Sequence, residues 1–156
     1  MRRRARLLAV LLAIASLSAT PAAAKCVPSS FKDGWLQEQE NLGGETMDRH
    51  VGRNTTELAA WLARRPGEPA TSSFPDPHTA RQVISAALRP DEDAYDSWAT
   101  TAKPGERAEV RMAFEQPIGI LVERGNASGL PAHGLTVILE AMGQGTCRLV
   151  TAFPTR

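Results

Sequence analysis

Leu135-Thr136-Val137-Ile138-Leu139 and Leu149-Val150-Thr151-Ala152-Phe153 are two apolar runs on either side of Gly143-Gln144-Gly145. Runs of this length, rich in β-branched residues and split by a glycine-bearing turn, predict a β-hairpin. Upstream, Val110, Met112 and Phe114 alternate with Glu109, Arg111 and Ala113, the period of a half-buried strand. Ile118 to Val122 is a further short apolar run behind Pro117. The segment Gly125 to Gly134 is polar and glycine-rich and reads as a loop.

The first half reads as helix. Asn54 with Glu57 three residues on forms a capping box, Leu58 and Leu62 share a face beside Trp61, and Pro66-Gly67 stops the run. Asp76-Pro77 is a cap followed by proline at the first helical position, and Val83, Ile84, Ala87 and Leu88 give the apolar stripe up to Pro90. Asp91 is placed to cap a third helix carrying Ala94, Tyr95 and Trp98. Helices first and strands last predict an α+β fold, N-terminal helices followed by an antiparallel sheet.

The N-terminus reads as a cleavable signal peptide over residues 1–24. Arg2, Arg3, Arg4 and Arg6 precede an uncharged run from Leu7 to Leu17, and Ala22 and Ala24 occupy the −3 and −1 positions of a cleavage site. That run is short of the roughly 20 residues a membrane-spanning helix needs. The expectation is a secreted or periplasmic product with no membrane attachment after cleavage. Residues 25–42 read as a linker-like N-terminal extension, and 43–156 as the folded domain. Loss of the four arginines takes the formal charge from +1 to −3, which disfavours non-specific attraction to DNA or RNA. Cys26 and Cys147 are the two cysteines, and in an exported chain they are expected to pair as a disulfide.

Known chemical signatures are few. No P-loop, dinucleotide-binding glycine pattern, nucleophile elbow or zinc-ligand spacing is present, so neither metal nor cofactor is expected. Histidine acid–base chemistry remains, because imidazole titrates near neutrality. His50 stands between Arg49 and Arg53. His78 falls early in a helix, and His133 in the expected loop. A lone histidine more often serves the fold than a reaction.

The ordered pieces Gly43-Gly44 … Arg49-His50-Val51-Gly52-Arg53, Ser72-Ser73-Phe74 with Ala80, Trp98, Ile118-Gly119 … Arg124-Gly125, and Leu149-Val150-Thr151-Ala152-Phe153-Pro154 resemble one family. It is the bacterial RNase A-like domain at the C-terminus of contact-dependent growth inhibition toxins. The resemblance runs from about Gly43 to Pro154. It implies an RNase A-like fold and metal-independent cleavage of single-stranded RNA through a 2′,3′-cyclic phosphate. It also implies a toxin role, acting as a monomer, with a cognate immunity protein as an allowed partner.

On this resemblance the family's catalytic histidine falls on His50 and its last-strand threonine on Thr151. Its arginine falls on Trp61 and its tyrosine on Phe153, so two of the four groups are replaced. Arg53, Arg64 and Arg65 are the substrate-binding cations expected to stand in for the arginine. Trp61 is expected to stack a base or to pack against Leu58, and Phe153 keeps the ring without the hydroxyl. The second proton-transfer group is unassigned, with His133 as a candidate. Two functions follow: a ribonuclease, impaired or intact, or a non-catalytic exported binding module that keeps the fold.

Overall fold

Antiparallel pairing of the last two strands anchors the structure, a computed structural model that describes residues 25–156. The signal peptide expected over 1–24, and the export it implies, lie outside the described residues. The elements in chain order are α1 (Trp35–Asn41), α2 (Thr46–His50), α3 (Thr55–Ala63), β1 (Ala70–Ser73), α4 (Pro77–Leu88), α5 (Glu92–Thr101), β2 (Arg107–Ala113), β3 (Gly119–Glu123), β4 (Asn126–Ala132), β5 (Gly134–Gly143) and β6 (Thr146–Thr155). A single 3₁₀ turn, Arg89–Asp91, joins α4 to α5 around Pro90. The fold is α+β, with two three-stranded antiparallel sheets in place of one, ordered β1-β3-β4 and β2-β5-β6.

The β5–β6 hairpin turns where the sequence predicts. Gly143 pairs with Thr146, and the central residues Gln144 and Gly145 hold φ of 56° and 76°. Positive φ at both positions matches the right-handed twist of the flanking strands. Along β5, Leu135, Val137, Leu139 and Ala141 face the main core, and Thr136, Ile138 and Glu140 face the other way. The β5–β6 register slips twice: near the turn Met142 is left unpaired between Ala141 and Gly143, and farther along Ile138 opposes Thr151 while Leu139 opposes Leu149, leaving Val150 as a bulge. Thr151, Phe153 and Thr155 then share the outer face, while Ala152 and Pro154 are buried.

Helices cover the inner face of that sheet. Phe74, Ile84, Leu88 and Ala99 pack against Val110, Leu135, Val137, Leu149 and Ala152. A smaller cluster, Leu58, Leu62 and Val122, seats α3 on the other sheet. The capping box predicted for α3 is formed: Asn54 Oδ1 accepts from Glu57 N–H at 2.9 Å, and Glu57 Oε2 accepts from Asn54 N–H at 2.9 Å. Asp76 caps α4 by accepting from both the N–H and the hydroxyl of Thr79, each at 2.8 Å. Asp91 stands at the start of α5 but its side chain makes no cap bond.

Two expectations are corrected, and one strand is added. Residues 25–42 are not linker-like: Val27, Phe31, Trp35 and Leu36 are buried in the main core, and Phe31 meets Trp35 edge-on at 4.7 Å. The segment expected to be a glycine-rich loop is mostly β4, an edge strand on β3. It was illegible because an exposed edge needs no apolar alternation, and it tolerates Pro131 and Gly129. A Cβ at Gly129 would sit 2.9 Å from Thr55 Cγ2, so the glycine lets β4 approach α3. Strand β1, Ala70-Thr71-Ser72-Ser73, was missed because small polar residues carry no hydrophobic signal. Its last three residues are nonetheless buried.

Cys26 and Cys147 form the expected disulfide, with Cα atoms 4.7 Å apart across a separation of 121 residues. It fastens the first described residues to the start of β6. Asp96 Oδ1 also accepts from the N–H groups of Cys26 and Val27, at 2.8 and 3.0 Å. Closing so long a loop removes much entropy from the unfolded chain. Replacing both cysteines by alanine is expected to cost about 2–5 kcal/mol in a urea unfolding curve. A smaller change would mean that the packing of Phe31 and Trp35 alone secures this segment.

Candidate active site

The edge of β6 is closed by the chain that leads into α2. Leu149 N–H donates to Gln39 Oε1 at 2.7 Å, Glu45 N–H donates to the bulged Val150 carbonyl at 2.8 Å, and Ala152 N–H donates to Thr46 Oγ1 at 2.9 Å. Thr46 is almost fully buried, and a Cβ on Gly44 would lie 2.8 Å from the Leu149 carbonyl. These contacts leave no room for another register. They carry α2 along β6 and bring its last residue, His50, to the outer face of the sheet.

His50 is then fixed from β1. Its Nδ1 lies 2.9 Å from the Ser72 carbonyl, and its own carbonyl accepts from Phe74 N–H at 2.8 Å. Gly52 N–H returns to the Phe74 carbonyl at 2.9 Å. A carbonyl can only accept, so Nδ1 carries the proton and Nε2 is the free lone pair of the neutral ring. Burial is the main cause holding the His50 pKa below its ordinary 6.5. The Ser72 carbonyl pulls it back up, the Arg49 charge lowers it, and Glu45 partly offsets Arg49.

A cleft of about 350 Å³ gathers Arg49, His50, Trp61, Glu68, Ser72, Thr151 and Phe153. His50 and Phe153 face each other with ring centres 5.4 Å apart and planes tilted by 35°. Thr151 Oγ1 is shielded from bulk solvent and has no hydrogen-bond partner among the described residues. A buried hydroxyl without a partner is costly. Phe153 and Thr155 also line a larger hollow of about 700 Å³ along the outer sheet face, edged by Arg111 and Arg156.

Of the residues expected at the site, His50, Thr151, Trp61 and Phe153 come together. Arg53 and Arg64 do not: they line a separate hollow of about 390 Å³ that shares only Arg49 and Trp61 with the cleft. Arg53 braces α2 to α3, donating through Nε to the Asp48 carbonyl at 3.1 Å and pairing with Asp48 and Glu57. Arg65 lies over the Trp61 ring, its Cζ 4.5 Å from the centroid. The chain around it is held by Arg124, whose Nη2 donates to the Leu62 and Glu68 carbonyls at 2.8 Å each. These bonds tie the end of α3 to the chain that leads into β1. His133 lies between β4 and β5 and does not line the cleft, so it is no partner for His50.

Arg49 and Glu68 were missed. Arg49 was visible as the neighbour of His50, but side chains one apart on a helix point in different directions. Only because α2 ends at His50 do both reach the same hollow. Glu68 lies between α3 and β1, where the sequence carries no pattern.

Residues 44–154 match the model of a family described as the bacterial CdiA-CT RNase A domain. Among solved structures, the chain is similar to one from a CdiA-CT/CdiI complex of Y. kristensenii, with 29% identity and a TM-score of 0.62. That match covers 72% of this chain and all of the other. No curated protein matches.

The fold favours neutral His50, so the unfolded chain takes up that proton at higher pH than the native one. The resulting stabilisation is complete above 6.5 and is lost as pH falls through the lower native value. An NMR titration of the His50 ring is expected to show a midpoint below 6.5, moved upward in Arg49→Gln. A midpoint at or above 6.5 would contradict the burial described.

Proposed function

The chain belongs to the bacterial CdiA-CT RNase A domain family, and on that premise we propose that it is an endoribonuclease toxin that cleaves single-stranded RNA by metal-independent transesterification. The observation that carries this reading is one cleft holding an oriented imidazole and an unpartnered hydroxyl, His50 and Thr151.

His50 Nε2 takes the proton from the ribose 2′-hydroxyl, and the 2′-oxygen attacks phosphorus. The bond to the 5′-oxygen breaks, leaving a 2′,3′-cyclic phosphate and a 5′-hydroxyl. Ser72 supports this step, because a bonded Nδ1–H fixes which nitrogen is basic. The Thr151 hydroxyl donates to a non-bridging phosphate oxygen, where charge grows in the transition state. The departing 5′-oxygen takes its proton from solvent. Phe153, beside His50, offers its ring to a base, since every base has a face to stack. A single strand fits this arrangement, because its bases are free to leave the stack.

The similar CdiA-CT structure is of a complex with CdiI. For this chain the corresponding partner is a cognate immunity protein. Export through residues 1–24 belongs to the same proposal. A second reading, a binding module without turnover, is favoured by Trp61 and Phe153. Neither side chain supplies a cation or a proton where the resembling family has arginine and tyrosine.

Purified protein starting at Lys25 is expected to cleave single-stranded RNA in EDTA. His50→Ala should lower the rate by about 100- to 10,000-fold, and Thr151→Val by about 100- to 1,000-fold. With His50 as base, kcat/KM should fall on the acid side with a midpoint below 6.5. Absence of cleavage at high protein concentration would favour the binding module.

A further inference from the structure

Phosphoryl transfer loads negative charge onto the phosphate oxygens, and a hydroxyl and a neutral imidazole do not neutralise it. Among the described residues, Arg49 is the one permanently charged cation lining the His50 cleft. Its side chain is 28% exposed. The guanidinium lies over the Trp61 ring with Cζ 5.4 Å from the centroid, and Arg65 contacts the same ring at 4.5 Å. Trp61 therefore acts as a platform carrying positive charge at the mouth of the cleft.

We propose that Arg49 is the catalytic cation of this site, binding the scissile phosphate between His50 and Thr151, and that Trp61 is its positioning residue. The assignment rests on the ribonuclease reading for its chemistry. It gives Trp61 a part that neither base stacking nor packing against Leu58 supplies. A guanidinium is suited to the role because its fork of donors matches two phosphate oxygens at once. In the resting protein Arg49 pairs with Glu45, whose side chain is half exposed. A pair so open to water is weak, and a phosphate can displace it.

Arg53 does not compete for this role. Its guanidinium lies outside the cleft, between Asp48 and Glu57. Arg64 lines the hollow on the other side of Trp61. In the cleft itself the charged residues besides Arg49 and His50 come down to Glu68, which has the wrong sign for a phosphate.

The experiment has two arms. Inorganic phosphate binding is measured by calorimetry, and RNA cleavage by steady-state kinetics, in the wild-type protein, Arg49→Gln, Arg49→Ala and Trp61→Leu. Arg49→Gln is expected to weaken phosphate binding about tenfold, the loss of one charge-assisted hydrogen bond. It should lower kcat for RNA by about 100-fold. Added guanidinium ion at millimolar concentration should restore part of the activity of Arg49→Ala, which a structural role would not allow. Trp61→Leu should lower kcat less than Arg49→Gln while circular dichroism stays native. Phosphate binding unchanged in Arg49→Gln would overturn the assignment whatever the RNA result. A wild type that binds phosphate through Arg49 but leaves RNA intact would overturn the ribonuclease reading and leave the anion site standing.

Discussion

The open edge of β6 is the constraint from which the site follows. An edge strand offers backbone groups that must find partners. Here Gln39, Glu45 and Thr46 supply them, at Leu149, Val150 and Ala152. The bulge at Val150 aims one of those carbonyls outward to meet Glu45. Once this edge is closed, α2 has one place to lie, and its final residue meets the outer face of the sheet. A single step in register along β6 would exchange Thr151 for a core residue and remove the hydroxyl from the cleft.

Two further devices make the placement rigid. Ser72 and Phe74 hold His50 by ring and by backbone, so the imidazole has no freedom to turn. The disulfide and the buried Phe31 and Trp35 lock residues 26–36 beneath α1, which carries Gln39. The segment read as a linker is thus a support of the site two steps removed. Burial of the imidazole lowers its affinity for a proton, and so keeps the ring neutral, with its Nε2 lone pair free, near physiological pH.

The hairpin, the α3 and α4 caps and the disulfide were legible because each rests on a local rule: turn glycines, capping side chains, paired cysteines. His50 and Thr151 were legible through the resemblance, and the structure brings them into one cleft from elements a hundred residues apart in the chain. What stayed hidden depends on tertiary context. Strands β1 and β4 are short or polar and pair only because β3 lies between them. Arg53 reads as a phosphate contact until Asp48 and Glu57 are seen to occupy it. Arg49 and Glu68 reach the cleft only because α2 stops at His50 and the chain turns after α3.

The central claim is that His50 and Thr151 address the same phosphate. A 2′-deoxy dinucleotide, which lacks the attacking hydroxyl, binds without reacting and reports on both by NMR. The account predicts that the His50 ring and the Thr151 amide shift together along one binding curve, and that the Thr151 shift disappears in His50→Ala. Shifts at one residue with silence at the other, or two curves with different midpoints, would contradict it.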